Sequence, residues 1–163
     1  MNHNNTARNH FGNMAEVAVV LILIELLLLA VQFIIGMWMN LFAVFPSIGS
    51  TFFMYGMMHG MMRVMLAVPE LMVHMMLGIL IGIVSLLILM AFAMGRNYVL
   101  LLLSVIASLS VLIAGISGIE FMFSGFANNT LSFIMSMGFL FTIISYSIIL
   151  YIIGRDNHSQ FSH

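Results

Sequence analysis

The stretch AEVAVVLILIELLLLAVQFIIGMWMNLFA, residues 15–43, decides the fold because its only charged side chains are Glu16 and Glu25. A helix of about 20 apolar residues is long enough to cross the hydrocarbon core of a bilayer. Three later stretches are similarly long and apolar, and they cover residues 69–94, 98–122 and 130–153. We therefore predict an all-α integral membrane bundle of four transmembrane helices.

The amino-acid composition indicates that most of this chain is surrounded by lipid rather than by water. Hydrophobic residues make up 63% of the 163 residues and charged residues only 6%, with a mean hydropathy of +1.20. So few charges cannot cover the surface of a soluble domain of this size. The formal net charge of -1 leaves no basic patch for nucleic acid. The absence of cysteine excludes disulfides and thiolate metal ligands.

The arginines predict the orientation of the helices. Arg8, Arg96 and Arg155 lie at one end of the predicted bundle and Arg63 at the other. Because positive charge concentrates in cytoplasmic loops, we expect both termini to be cytoplasmic in a multi-pass protein of the cell membrane. The terminal segments 1–13 and 154–163 are polar and short, so they read as flexible cytoplasmic tails. Minimal loops and the lack of a targeting signal favour a prokaryotic source.

The connection between the first two spans predicts a short interfacial helix. Polar or small residues recur within it at helical spacing, at Gly56, His59, Gly60 and Arg63. A helix with one such stripe suits the membrane surface, where the stripe faces water. Pro69 then opens the next span, because proline fits the first turn of a helix.

Two polar residues lie inside the first span. Glu25 and Gln32 are seven residues apart and therefore share one helix face with Met39. A carboxylate deep in a membrane helix is costly, so it is a candidate for function. Glu25 and Gln32 therefore predict a proton or small-solute carrier, with a structural role in the bundle as the alternative.

A second group of polar residues lies near the opposite end of the bundle. Asn40, His74 and Glu120 are placed there by the predicted topology, and we take them as candidate cofactor-binding residues. Four-helix membrane bundles hold haem b between facing axial ligands. His74 is the only histidine within a predicted span, which is one fewer than bis-histidine ligation requires. A hydrogen-bonded polar cap is the alternative interpretation.

Methionine is concentrated in the same connection. The run Met57-Met58-His59-Gly60-Met61-Met62 places thioethers beside an imidazole. Soft sulfur ligands with imidazole suit Cu(I), so Met57, Met58, His59, Met61 and Met62 are candidate copper ligands. Methionine is also a flexible apolar residue that packs well at interfaces, which is the alternative explanation.

No complete catalytic set accompanies these candidates, so an enzyme is not the expected class. The chain has no glycine-rich phosphate loop, no HExxH and no GxSxG. Gly78 and Gly82 form a GxxxG pair, and Ser104, Ser108 and Gly115 form a similar small-residue seam, both typical of closely packed membrane helices. With such short polar segments, these seams favour a non-catalytic subunit that scaffolds or stabilises a larger membrane complex, or self-associates.

Four short segments resemble a group of small four-helix membrane proteins of prokaryotes. They are GMWMNLFAVFP at 36–46, HMMLG at 74–78, GISGIEF at 115–121 and NNTLSFIMSMG at 128–138. The group has no assigned activity, so the resemblance implies the four-helix fold and no particular chemistry.

Overall fold

The computed structural model describes the backbone over residues 3–45, 62–95 and 97–160, and the side chains over 16–45, 62–95 and 97–155. Within these ranges the chain forms helices and turns and no strand. The helices are α1 His3–Phe42, α2 over 62–67, α3 Pro69–Ala93, α4 Tyr98–Phe123 and α5 Asn129–Gln160. The predictions of an all-α chain and of a short helix between the first two long ones are confirmed.

Four of these helices are long and apolar enough to cross a membrane. Their apolar spans are Glu16–Phe42, Pro69–Ala93, Tyr98–Phe123 and Asn129–Arg155. The chain is thus a multi-pass helical protein by length and composition. We call the two ends of the bundle the Glu16 end and the Phe42 end, after the first span.

The first and last helices run beyond these spans. α1 already begins at His3, within the segment that the sequence predicts to be a tail, and α5 continues to Gln160. No proline interrupts either extension. A helix that is already nucleated lengthens at the gain of one hydrogen bond per residue, which accounts for the longer helices.

Local sequence signals fix where the inner helices begin and end. Pro69 occupies the first turn of α3, with Glu70 beside it at the positive end of the helix dipole. The Asn97 side chain caps α4 by accepting hydrogen bonds from the backbone N–H groups of Val99 at 3.1 Å and Leu100 at 3.3 Å. After α4 the chain reverses through Gly125 and Phe126, which both have positive φ, at 71° and 61°.

The four long helices form a closed ring in which α1 packs on α3, α3 on α4, α4 on α5 and α5 on α1. The closest approach that a glycine permits is between α4 and α5 at Gly138. A Cβ built on Gly138 would lie 2.6 Å from the carbonyl oxygen of Ser110 and 2.9 Å from Cβ of Ala114. Of the glycines in the seams predicted from the sequence, Gly78 would place a Cβ 3.5 Å from Gln32 Nε2 on α1, an ordinary contact distance, whereas a Cβ built on Gly82 or Gly115 meets no described atom within 4 Å.

Two apolar clusters fill the ends of the ring. The larger cluster lies between the middle of the bundle and the Glu16 end and consists of Ala18, Ile22, Val84, Ile88, Phe92, Ala107, Tyr146 and Ile149. The smaller lies at the Phe42 end and consists of Met39, Val64, Val68, Leu71 and Met122. Val64 belongs to α2, so this short helix packs on the ends of α1, α3 and α4, while its Arg63 side chain is exposed.

Candidate functional site

One face of α1 turns into the bundle along its whole span. Buried residues recur at helical spacing at Ala18, Ile22, Glu25, Leu29 and Met39. The sequence predicts that Glu25, Gln32 and Met39 share a face. Of these, Glu25 and Met39 are buried and Gln32 is partly buried.

Glu25 is the one acidic side chain among the described residues that is fully buried. Its exposure is 0%, and neither carboxyl oxygen has a hydrogen-bond partner. Buried polar groups are almost always hydrogen-bonded, and an unpaired ionised carboxylate in hydrocarbon is costlier still. The chain has no lysine, and none of its four arginines lies in the interior of an apolar span. A carboxyl in this setting is suited to holding a proton or a small cation.

Three hydroxyls from the other long helices meet at the same depth. Ser85 Oγ on α3 lies 2.8 Å from the Tyr146 hydroxyl on α5 and 3.1 Å from Ser108 Oγ on α4. Ser108 Oγ also donates to the backbone carbonyl of Ser85 at 3.3 Å. Each hydroxyl proton is used once if Tyr146 donates to Ser85 Oγ, Ser85 donates to Ser108 Oγ, and Ser108 donates to the Ser85 carbonyl. In this arrangement the Tyr146 oxygen accepts no hydrogen bond from the network and keeps a lone pair free as an acceptor.

Glu25 lies at the depth of this hydroxyl network and within electrostatic range of the Tyr146 hydroxyl, with no hydrogen bond between them. Counted at about 1.5 Å per residue from the Glu16 end of the bundle, Glu25, Ser85, Ser108 and Tyr146 all lie about 12–15 Å deep, roughly a third of the way along the spans. We call these four residues the carboxyl–hydroxyl cluster. Each of the four long helices contributes one member.

Gln32 and His74 form a second polar contact, nearer the Phe42 end. Gln32 Nε2 donates a hydrogen bond to the backbone carbonyl of His74 at 3.0 Å. Gly36 makes room for the imidazole, since a Cβ built there would lie 3.2 Å from His74 Cε1. Gln32 Oε1 and His74 Nδ1 are buried and have no hydrogen-bond partner. We call Gln32 and His74 the outer pair.

The other predicted site residues are not brought together in the described part of the chain. Asn40 and Glu120 are exposed, on α1 and α4, whereas the His74 imidazole packs beside Gly36. Met57, Met58, His59 and Met61 lie outside the described residues, and Met62 is 61% exposed on α2. Within the described ranges, no three His, Asp or Glu side chains are grouped as a metal site would require. Haem and copper binding stay predictions from the sequence.

The sequence located part of the carboxyl–hydroxyl cluster. It singled out Glu25, because a carboxyl inside a span is conspicuous, and it assigned Ser108 to a packing seam without indicating the hydrogen bonds that Ser108 makes to Ser85 across that seam. It did not distinguish Tyr146, although tyrosines of membrane helices are enriched at the interfaces and a tyrosine inside a span is therefore a signal. The missing information was which helices are neighbours.

No family model, curated protein or solved structure matches this chain. The fold and the buried polar residues together define a multi-pass helical membrane protein with an intramembrane carboxyl site. Its function has to be inferred from the chemistry of that site.

Proposed function

We propose that this protein moves protons across the membrane and that Glu25 is the group that takes up and releases them. The observation that supports this proposal is the complete burial of Glu25 with both carboxyl oxygens unpartnered, beside a hydroxyl network to which the three other long helices contribute. A carboxyl that only held helices together would be expected to make hydrogen bonds to them.

The energetics favour a proton as the carried species. On insertion scales an ionised carboxylate at the centre of a membrane helix costs roughly 2.5–3.5 kcal/mol. A bound proton neutralises the carboxylate and so removes this cost. Release of the proton follows when a change in the surroundings of Glu25 stabilises its charged form. Aspartate and glutamate side chains inside membrane bundles mark proton relays in pumps and transporters.

The groups around Glu25 suit this role because they are hydroxyls. Their dipoles interact with the charged carboxylate, but they carry no positive charge that would neutralise it in place of a proton. Tyr146 is the titratable side chain of α5 within electrostatic range of Glu25, and α3 and α4 contribute the hydroxyls of Ser85 and Ser108. The Tyr146 oxygen keeps a free lone pair, and a protonated carboxyl reaches this acceptor only when the Glu25 side chain rotates, because neither carboxyl oxygen has a partner in the structure.

The proposal is tested by proton flux into liposomes that contain the purified protein and a pH-sensitive dye, driven by a potassium diffusion potential. We expect Glu25→Gln to reduce the flux at least tenfold, because the amide keeps the shape of the side chain and cannot exchange a proton. Glu16→Gln is the matched control, since Glu16 is exposed at the start of the same span. Undiminished flux in Glu25→Gln would refute the assignment.

The predicted orientation belongs to the same proposal. Both termini would be cytoplasmic, which places the Glu16 end at the cytoplasmic face of a cell membrane. Protease digestion of sealed vesicles, with an epitope tag at either terminus, tests this placement.

A non-catalytic role as a subunit of a larger membrane complex is the second candidate. The observation that favours it is the outward-facing Gly115 of α4, where a built Cβ meets no described atom within 4 Å. A helix of a partner or of a second copy can approach closely at such a position. Purification in mild detergent tests this role, and a monodisperse monomer without partners would count against it.

A further inference from the structure

Among the described residues, buried polar atoms without partners occur at Gln32 and His74 as well as at Glu25. Gln32 follows Glu25 by seven residues on the same face of α1, which is about 10 Å toward the Phe42 end. Gln32 Oε1 and His74 Nδ1 have no hydrogen-bond partner there, while Gln32 Nε2 holds the His74 backbone at 3.0 Å. The outer pair is thus fixed in place and still has an acceptor atom and an imidazole nitrogen unused.

The other direction from Glu25 has a different character. Toward the Glu16 end the inward-facing side chains of α1 are Ile22 and Ala18, with exposures of 0% and 1%. Ile88, Phe92 and Ile149 from α3 and α5 pack in the same cluster. The inward face of α1 thus has no polar side chain between Glu25 and Glu16. The buried Ser104 of α4, which lies toward the same end, donates its hydroxyl proton to its own helix, at the Leu101 carbonyl 2.7 Å away.

We propose that Glu25 exchanges its proton with the Phe42 end of the bundle, and that the outer pair is a second proton-binding position on that route. The inference rests on the proposed function of Glu25. His74 Nδ1 accepts a proton from the Phe42 side in the tautomer that carries its hydrogen on Nε2. The proton then leaves Nδ1 for water at Gln32 Oε1, and further water admitted past the buried Leu29 carries it over the remaining distance of about 10 Å to the carboxylate of Glu25. The net change is one proton taken from the Phe42 side and one carboxylate neutralised.

The surroundings of this route are defined by all four long helices. Its titratable groups are Glu25 on α1, His74 on α3 and Tyr146 on α5, and α4 contributes the Ser108 hydroxyl. Beyond the outer pair, Met39, Leu71 and Met122 form an apolar cap with Val64 of α2 and with Val68. Proton entry therefore requires the cap to loosen, which places α2 at the mouth of the route.

Time-resolved infrared spectroscopy of the full chain in sealed, oriented proteoliposomes tests the route. The carbonyl stretch of protonated Glu25, assigned by its loss in Glu25→Gln, reports the proton on that side chain directly. After a pH jump in the outer medium, we expect a fast response when the Phe42 end faces outward. The response should be at least tenfold slower when the Glu16 end faces outward.

Two variants examine the outer pair itself. His74→Phe and Gln32→Leu should each slow the fast response at least tenfold and leave the assigned band in place. His10→Phe, outside the apolar span of α1, is the matched control and should not change the rate.

A fast response from the Glu16 end, or an unchanged rate in both outer-pair variants, would overturn the route while leaving the proposed function intact. A Glu25 band that responds from neither end would overturn both, and a flux that survives in Glu25→Gln would identify the proposed function as the point of failure.

Discussion

The α4–α5 half of the bundle and the α1–α3 half satisfy their buried polar groups in opposite ways. Between α4 and α5, Gly138 allows close contact, and Thr142 Oγ1 lies 2.8 Å from the Gly138 carbonyl and 3.4 Å from that of Ala107. The α1–α3 half, in contrast, has buried polar atoms without hydrogen-bond partners. Among the described residues, all such side-chain atoms belong to Glu25, Gln32 and His74.

We call the α4–α5 pair the supporting half and the α1–α3 pair, which carries the polar atoms of the proposed proton route, the functional half. Natural sequences agree with local packing rules almost everywhere, and the places where they break them are expected at functional sites. The α4–α5 pair follows those rules and holds the Tyr146 and Ser108 hydroxyls in position. The α1–α3 pair retains polar atoms that a purely structural contact would have replaced with apolar groups. Substitutions in the two halves should consequently affect stability with opposite sign.

The largest effect is expected at the closest contact of the supporting half. Gly138→Leu adds a branched side chain where even a Cβ would lie 2.6 Å from a backbone oxygen. We expect destabilisation at or above the top of the roughly 1–3 kcal/mol that overpacking costs, with loss of the folded bundle. Thermal unfolding in detergent, followed by circular dichroism, measures it.

Gly115→Leu provides the control for this comparison. Gly115 lies on α4, its surroundings are open, and its side chain would face outward. We expect its melting temperature to stay within a few degrees of that of the native chain. Equal destabilisation by the two substitutions would mean that the loss of glycine matters and the α4–α5 contact does not.

The next largest effect has the opposite sign and lies in the functional half. Glu25→Met replaces an unpartnered buried carboxyl with an apolar side chain of similar length. An unsatisfied buried polar group costs about 1–3 kcal/mol, so we expect the variant to be more stable by about that amount and to have lost proton flux. Unfolding in detergent mixtures of increasing denaturing strength, beside a flux assay on the same preparation, gives both quantities. A less stable Glu25→Met would show that Glu25 contributes to packing.

The sequence predicted one half of this comparison better than the other. Four apolar stretches, Pro69 and the arginine-poor spans were sufficient for the four-helix fold, because bilayer thickness and helix geometry leave few alternatives. Glu25 and Gln32 were predicted to share a face because a helical period fixes which residues point the same way. His74 was associated with Glu120 instead of Gln32, because the sequence alone does not determine which neighbour a helix face meets.

The supporting half was harder to predict for the same physical reason. Gly138 is one glycine among 13 in the chain, and only the approach of α4 distinguishes it from Gly82 and Gly115. Side-chain hydroxyls of serine and threonine often bond to their own helix, as Ser104 Oγ does to the Leu101 carbonyl at 2.7 Å. A serine that bonds between helices, such as Ser85, cannot be told from these by its spacing.

The smallest effect is expected where the two halves meet. Tyr146→Phe removes the hydroxyl that lies 2.8 Å from Ser85 Oγ and leaves the ring in its buried position. Interhelical hydrogen bonds in membranes contribute about 0.6 kcal/mol on average, so we expect a destabilisation of that size, measured by the same unfolding assay. Tyr151→Phe is the matched control, because Tyr151 is exposed on the same helix and should give no change. Because Tyr146→Phe removes the hydroxyl that we propose as the acceptor for the Glu25 proton, the flux should also fall, although the bundle remains folded. An unaltered flux would restrict Tyr146 to the supporting half and leave Glu25 to act without the hydroxyl network.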